Sequence, residues 1–522
     1  MRLKNKMARW IRHCVFVLIS LLFFSRLLAN DPDAQTIRAK VRDYRAQNES
    51  VILKELVDLL AIPNVAADRD HIQKNAHHLL TMLSARGIRS QLLEVEDGPP
   101  AVYGELLSPG ATKTVIFYSH YDGQPVNPKN WASDPWQPVF RDRLQTEGGK
   151  AVTLAELPLP VNPEWRLYAR SASDDKAPIM AMLTAIDALR VSNIPLSVNV
   201  KFFFEGEEEA GSPHLGEILE KYSQLLQADL WLFCDGPVHQ TRKMQVVFGA
   251  RGVTGLGITA YGPARPLHSG HYGNWAPNPI GLLVHLLASM RDLDGRILIA
   301  GFYDEVLPIT QTERQAIAAS PDIDAALKEE LGLAWSEGGK RLEEQIMQPA
   351  INFRGIYSGG GTAGNTIQSD ATAVVGFRLV PDQTIMKVRQ RVEAHIRKLG
   401  YHIVHETPDH ETRRAYPKIV KLEWESGGYP PLRTSMDLPV SQALLKVVEE
   451  SVGEAIVKLP TAGGSLPLHI FFETLQTPVI VVPMVNHDNN QHAENENLRI
   501  QNLWEGIELY GGIMARLGLV WE

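Results

Sequence analysis

A chain of 522 residues with 44% hydrophobic and 21% charged side chains has the makeup of an ordinary globular protein, and its length exceeds what one core usually serves. The net charge of -8 and the pI near 6.1, with no Lys/Arg stripe beyond the extreme N-terminus, exclude the electrostatic footprint of a nucleic-acid binder. Two cysteines, Cys14 and Cys234, exclude a disulfide scaffold.

Residues 1–30 stand apart. Arg2, Lys4, Lys6, Arg9 and Arg12 precede an apolar run over 14–24, and Ala29 follows near a cleavage point, the pattern of a secretory signal. The run is short for a spanning helix, but Leu27 makes a poor cleavage box, so an uncleaved anchor is the alternative. The expectation is an exported protein, periplasmic or secreted, held at a membrane only if this segment is retained. Removal of the segment would leave Cys234 alone, with no internal disulfide.

Helical spacing of apolar residues covers 34–60 and 72–86, and Gly87 stops the second helix. Short strands are expected at 91–95 and 102–107, and a buried one at 114–119. A turn-rich stretch, 123–164, carries Pro125, Pro128, Pro135 and Pro138 without clear periodicity. Helix 179–189, strand 196–204, helix 215–226 and strand 230–234 then alternate, which predicts an α/β domain with a mostly parallel sheet covered by helices on both faces. From about Met244 the pattern changes to strands at 246–248, 255–261 and 373–380 with helices at 280–290 and 385–399, an α+β insert in which 296–342 fits no element. Helices 441–452 and 468–475, strand 478–483 and a final amphipathic helix over 499–517 restore the first character. The chain therefore divides into a catalytic domain over 31–243 and 431–522, interrupted by an inserted domain over 244–430.

Chemistry gathers at the ends of the buried strands. His120 and Asp122 end one run, Glu205, Glu207, Glu208 and Glu209 follow a second, and Asp235 ends a third. If these strands run parallel, their carboxyl ends share the edge where open α/β sheets build their sites. Asp174 and Asp175 open the 179–189 helix, where either could instead be a cap. Together His120, Asp122, Asp174, Glu208, Glu209, Asp235 and His492 suit two divalent metals, and imidazole with carboxylate but no thiolate points to zinc, with manganese or cobalt as alternatives. Such a centre needs a bridging carboxylate and a further carboxylate outside the coordination sphere to take a proton from water. His271, His469 and His487 also lie near these stretches, and His487 follows a buried strand much as His492 does. Asp122 reads equally as a turn residue.

In its motifs the sequence resembles the M20 metallopeptidases, the clan of bacterial dipeptidases, carnosinases, aminoacylases and succinyl-diaminopimelate desuccinylases. The resemblance rests on His120, Asp122 and Pro125; Trp131 to Pro135; Ser173 to Lys176; Glu205 to Ser212; His268 to Gly270; Phe377 to Pro381; Gly463 to Ser465; and His492 to Glu496, in order over most of the chain. It implies a lid and dimerisation role for the insert. It makes His120 and Asp235 ligands of one metal, Glu209 and His492 ligands of the other, and Asp174 the bridge, and it prefers His492 over His487. Asp122 would orient His120, Glu208 would be the general base acting on a metal-bridging water, and His268 would stabilise the oxyanion, entering from the second subunit of a homodimer. Arg378 would grip a substrate carboxylate, unless it serves a structural ion pair, and Ser465 would lie at the same end. Glu205 and Glu207 are left as solvated or supporting carboxylates. Where the family usually has glycines, this chain has Ala169, Ser171 and Ala177, and Glu494 stands at a position more often small or proline. The implied activity is hydrolysis of the amide bond of a dipeptide or short peptide, in the dipeptidase and carnosinase-like branch. An N-acyl amino acid amidohydrolase of the same mechanism is the alternative, and a non-catalytic binding protein the reading from outside the enzymes.

Overall fold

Successive side chains of the strand Thr114–His120 point to opposite faces of a sheet, and both sets are buried. Val115 and Phe117 pack with the helices Ala34–Leu60, Lys176–Val191, Pro439–Val452 and Ile500–Val520, whereas Ile116 and Tyr118 pack with Leu215–Lys221 and Leu468–Leu475. A strand covered on both faces must be apolar along its whole length, which is why this run reads as continuous rather than alternating. These features come from a computed structural model, which describes residues 33–359 and 364–522. The expected signal segment 1–30 lies outside the described residues, and among those described no helix is long and apolar enough to cross a membrane.

The main sheet has eight strands in the order Arg89–Leu93, Ala101–Leu106, Asn199–Glu205, Thr114–His120, Leu230–Phe233, Val479–Val481, Gln245–Val247, Val457–Leu459. Its centre is parallel: Thr114–His120 lies between Asn199–Glu205 and Leu230–Phe233, and Val479–Val481 continues in the same sense. On one face Phe471 meets the rings of Tyr118, Phe203, Trp231 and Phe233 at 4.8–6.3 Å, contacts of about 0.5–1.5 kcal/mol each beyond the area they bury. The packing fixes the height of the strand ends from which the site is built.

A five-stranded sheet forms the second unit: Ala350–Tyr357, Asp370–Leu379, Gly252–Tyr261, Ile419–Trp424 and His402–Val404, antiparallel except for the last pair. Pro279–Met290 and Ile385–Lys398 cover one of its faces. By sheet membership this unit begins at Gly252, not at 244, because Gln245–Val247 is a strand of the main sheet. The stretch 296–342 holds two short helices, Gln311–Ala319 and Asp324–Glu330.

The turn-rich stretch 123–164 also contributes structure. Val139–Arg141 and Ala151–Val152 join Arg166–Tyr168 and Asn497–Arg499 in a small antiparallel sheet. In its register Tyr168 faces Asn497, so the loop that leaves Tyr168 and the loop that enters Asn497 meet at one end.

Candidate active site

Parallel register brings the first groups together. His120 lies opposite Glu205, and Tyr118 opposite Phe233, so His120, the loop after Glu205 and Asp235 all emerge at the carboxyl edge of the sheet. The loop turns sharply. A Cβ at Gly206 would collide with the Tyr121 hydroxyl, and Gly211 takes φ of 86°, which closes the turn Glu208–Ala210. Asp122 holds that turn in place: its Oδ1 accepts from the Glu208 amide at 3.1 Å and its Oδ2 from the Glu209 amide at 3.0 Å. Oδ1 also lies 3.3 Å from His120 Nδ1, which leaves Nε2 turned to Asp174 Oδ1 at 2.9 Å. Asp122 thus reaches three of the groups at once, beyond the expected contact with His120.

Asp174 and His492 arrive from the small sheet. Between them lies Glu496, a residue within the recognised motif to which no role had been given. Its Oε1 accepts from the amides of Ser173 and Asp174, both at 2.9 Å, and its Oε2 from the Ser171 amide at 3.0 Å and from Arg170 Nη1 at 2.8 Å. Glu496 and Arg170 are both buried, and the carboxylate ties the two loops into one piece. Ser171, where a glycine was expected, does adopt a left-handed φ of 59°. That conformation costs about 1 kcal/mol for an L-residue; the Glu496 hydrogen bond and a 2.9 Å bond from Asn64 Nδ2 to its hydroxyl hold it there. The capping role for the aspartates falls away. Asp175 occupies the N-cap position of Lys176–Val191 without a side-chain cap bond, and its carboxylate accepts instead from the Ser119 hydroxyl.

The donor atoms form two groups that share Asp174: His120, Asp174 and Asp235 in one, and Asp174, Glu209 and His492 in the other, each within 4.8 Å. His492 Nε2 lies 3.0 Å from Asp174 Oδ2 and 3.2 Å from Glu209 Oε2. Asp174 Oδ2 is buried beside that imidazole. Gln124 Nε2 donates to Glu209 Oε2 at 2.7 Å. Glu208 belongs to neither group but lines the same cavity of about 320 Å³ with Asp174, Asp235 and His492.

Charge in this cavity is unbalanced. Burial and the charge of Asp174 push Asp235 up to about 6 and Glu209 up to about 7, and burial drives Glu208 well above the carboxylate range. Burial would raise Asp174 as well, but the imidazoles of His120 and His492 hold it below its ordinary value. Burial opposes the charged form of His120 too, yet the carboxylates of Asp122 and Asp174 raise it well above the usual imidazole value. Four carboxylates against two imidazoles leave a deficit of positive charge that divalent cations would fill. The all-N/O donor set suits zinc or manganese.

Arg378 lies on Asp370–Leu379 and donates from Nη1 to Ser465 Oγ at 2.6 Å, and Ser465 lines the same cavity. Among the described residues Arg378 has no carboxylate partner, so the structural ion pair is not found. Arg251, which the sequence reading did not single out, stands beside it: its Nε donates to the Gly463 carbonyl at 3.1 Å, and burial with the charge of Arg378 lowers it to about 10. Two guanidiniums close together at a serine make an anion-seeking corner.

Other groups lie elsewhere. His268 is exposed on the inserted unit, its ring tilted against that of His271 with centroids 4.5 Å apart, and does not line the cavity. His487 is exposed and lines a different cavity with His239, and His469 packs against Tyr429. Glu205 and Glu207 are buried, not solvated. Glu205 accepts from the Tyr118 hydroxyl at 2.7 Å, and Glu207 meets His214 Nδ1 at 2.9 Å. Only the cluster of four carboxylates hinted at them in the sequence, without separating their roles.

Comparison with known proteins agrees with this geometry. The profile described as peptidase family M20/M25/M40 matches residues 116–516. The Cys-Gly metallodipeptidase of Schizosaccharomyces pombe is 26% identical over 475 residues, 86% of this chain and 92% of the relative. The human Beta-Ala-His dipeptidase is 26% identical over 437 residues, 80% and 78% of the two chains. Among solved structures, an M20 family metallo-carboxypeptidase from Sulfolobus solfataricus superposes with a TM-score of 0.70 at 29% identity, covering 90% of this chain and 99% of that one.

Proposed function

The chain belongs to peptidase family M20/M25/M40 and is a peptidase, and we propose that it is an exported hydrolase of dipeptides or short peptides with a free terminal carboxylate, working with two divalent metals, zinc foremost. The observation that carries this reading is the pair of donor groups sharing Asp174, with Glu208 in the same cavity but outside both. In it His120 and Asp235 would hold one cation, Glu209 and His492 the other, and Asp174 would serve both. When bound, the cations would supply Lewis acidity toward the substrate carbonyl and lower the pKa of the attacking water.

The protein's own groups do the rest. Glu208, which lines the cavity outside both donor groups, accepts the proton of the attacking water and returns it to the departing amine. Asp122 keeps His120 Nε2 and the two glutamates aimed at the cavity. Arg378, with Ser465, takes the substrate carboxylate. Substrates with a free C-terminal carboxylate are therefore expected to have kcat/KM about 10–100-fold above their amides, the worth of a charge-assisted hydrogen bond. Arg378→Ala should erase that difference through KM, and a variant that still prefers the free acid by the wild-type factor would place the carboxylate elsewhere.

His268 is exposed on the inserted unit and does not line the cavity; in this reading a second copy supplies it to the carbonyl oxyanion, within a homodimer joined through that unit. His268→Ala should then lower kcat by about 10²-fold or more. A wild-type protein that sediments as a monomer under assay conditions with full activity contradicts the arrangement. Export rests on residues 1–30, and the N-terminal sequence of the protein recovered from the medium or periplasm tests it.

A further inference from the structure

In the antiparallel pair of Gly252–Tyr261 with Asp370–Leu379, Arg378 lies opposite Val253. Arg251 stands two positions before Val253, on the same face as Arg378 and diagonal to it; diagonal neighbours in a sheet are about 7–8 Å apart, within reach of long side chains. Both side chains arrive at one turn. Arg251 Nε donates to the Gly463 carbonyl at 3.1 Å, and Arg378 Nη1 to the Ser465 hydroxyl at 2.6 Å. The Arg251 amide adds a 3.2 Å bond to the Gly464 carbonyl, so the backbone that carries the guanidinium is fixed against the same turn. Gly464 and Ser465 line the cavity that holds Asp174, Glu208, Asp235 and His492.

The turn engages only part of the two guanidiniums. Among the described residues the Nη groups of Arg251 have no hydrogen-bond or ion-pair partner, and Arg378 meets no carboxylate. Nothing within the chain cancels the charge: burial, and then the charge of Arg378, lower Arg251 to about 10, so both side chains remain cationic at neutral pH. Two like charges held together in a half-buried corner repel each other, and bound anions relieve that repulsion. One substrate carboxylate brings a single negative charge and leaves the second guanidinium open.

We propose that Arg251 forms a second anion subsite beside Arg378, and that the enzyme prefers substrates whose C-terminal residue is aspartate or glutamate, with a side-chain carboxylate in addition to the terminal one. The inference rests on the peptidase reading and on Arg378 and Ser465 taking the terminal carboxylate. The carboxylates of such a residue are tied only a few bonds apart, as the two guanidiniums are tied to one short turn. Arg251 then sets which C-terminal side chain is accepted, and Arg378 sets that the terminus is free.

The test uses the metal-loaded full chain with four dipeptides that share an N-terminal alanine and end in glutamate, glutamine, aspartate or asparagine. Each acid differs from its side-chain amide in charge at nearly the same volume. For at least one pair the wild type should show kcat/KM about 10–100-fold higher for the acid, the strength of a charge-assisted hydrogen bond. Arg251→Gln removes the charge and keeps a donor for the Gly463 carbonyl, and it should bring that ratio to about one. Acid and amide are hydrolysed by one preparation, so a loss of folded protein changes both alike. The preference for a free terminal carboxylate over its amide belongs to Arg378 and should persist in Arg251→Gln. Wild-type ratios near one in both pairs, or a ratio that survives Arg251→Gln, overturn the second subsite and leave the peptidase reading standing. So does an Arg251→Gln protein that loses the terminal-carboxylate preference as well, since Arg251 would then serve the same carboxylate as Arg378. A wild type that hydrolyses none of the four dipeptides overturns the peptidase reading and the subsite with it.

Discussion

Glu208→Gln is expected to lower kcat by about 10²–10⁴-fold, the usual contribution of a general base, while KM, fold and metal content stay near wild type. Glutamine keeps the volume and the backbone bond from the Glu208 amide to Asp122, but its side chain cannot take a proton. Metal content should hold because Glu208 lies outside both donor groups. Without cations, burial and the charges of Asp235 and Asp174 favour the protonated form of Glu208 against the His120 imidazole; bound cations would favour the ionised form that can take a proton from water. Steady-state kinetics with metal analysis of the same preparation check this. Unchanged turnover with both metals present would move the base elsewhere.

Removal of the metals has the second large effect. Hydrolysis should cease on exhaustive chelation and return with zinc or manganese, and the stripped protein should melt at a lower temperature by an amount that grows with pH. The sign follows from the carboxylates. Without a cation, Asp235 titrates near 6 and Glu209 near 7, above the value of about 4 for carboxylates in the unfolded chain. Groups raised on folding favour the folded state below the unfolded pKa, and that contribution disappears as pH rises through 6 and then 7. The stripped protein therefore loses on the order of a few kcal/mol of stability between about pH 4 and 7. Metal binding displaces those protons and strengthens with pH. Melting temperatures with and without metal, from about pH 5 to 8, should diverge; a constant or narrowing gap would contradict the cation-filled cavity.

Part of this candidate site is legible in the sequence because some of its groups stand at a break in a strong pattern. His120 and Asp235 end apolar runs, and parallel register carries them to one edge whatever the details of the loops. The partition of the glutamates was harder to read: Glu205 faces Tyr118, Glu207 faces His214, and nothing in a run of like charges separates inward from outward. Glu496 escaped for a similar reason, since its partners are backbone amides that every sequence contains. In the inserted unit, Ala350–Tyr357 is an edge strand with few buried positions, so no alternation marks it. Ile419–Trp424 is short and carries Lys421 and Glu423 between its apolar residues. Gln245–Val247 is three residues long, and its pairing with Val479–Val481, far along the chain, joins it to the main sheet.

Metal content per chain tests the central claim most directly, measured by elemental analysis on the wild type and on His120→Ala, His492→Ala and Asp174→Ala. The account predicts two cations in the wild type, one in each histidine variant and none when the shared carboxylate of Asp174 is gone. A single cation in the wild type, or full occupancy in Asp174→Ala, would contradict it.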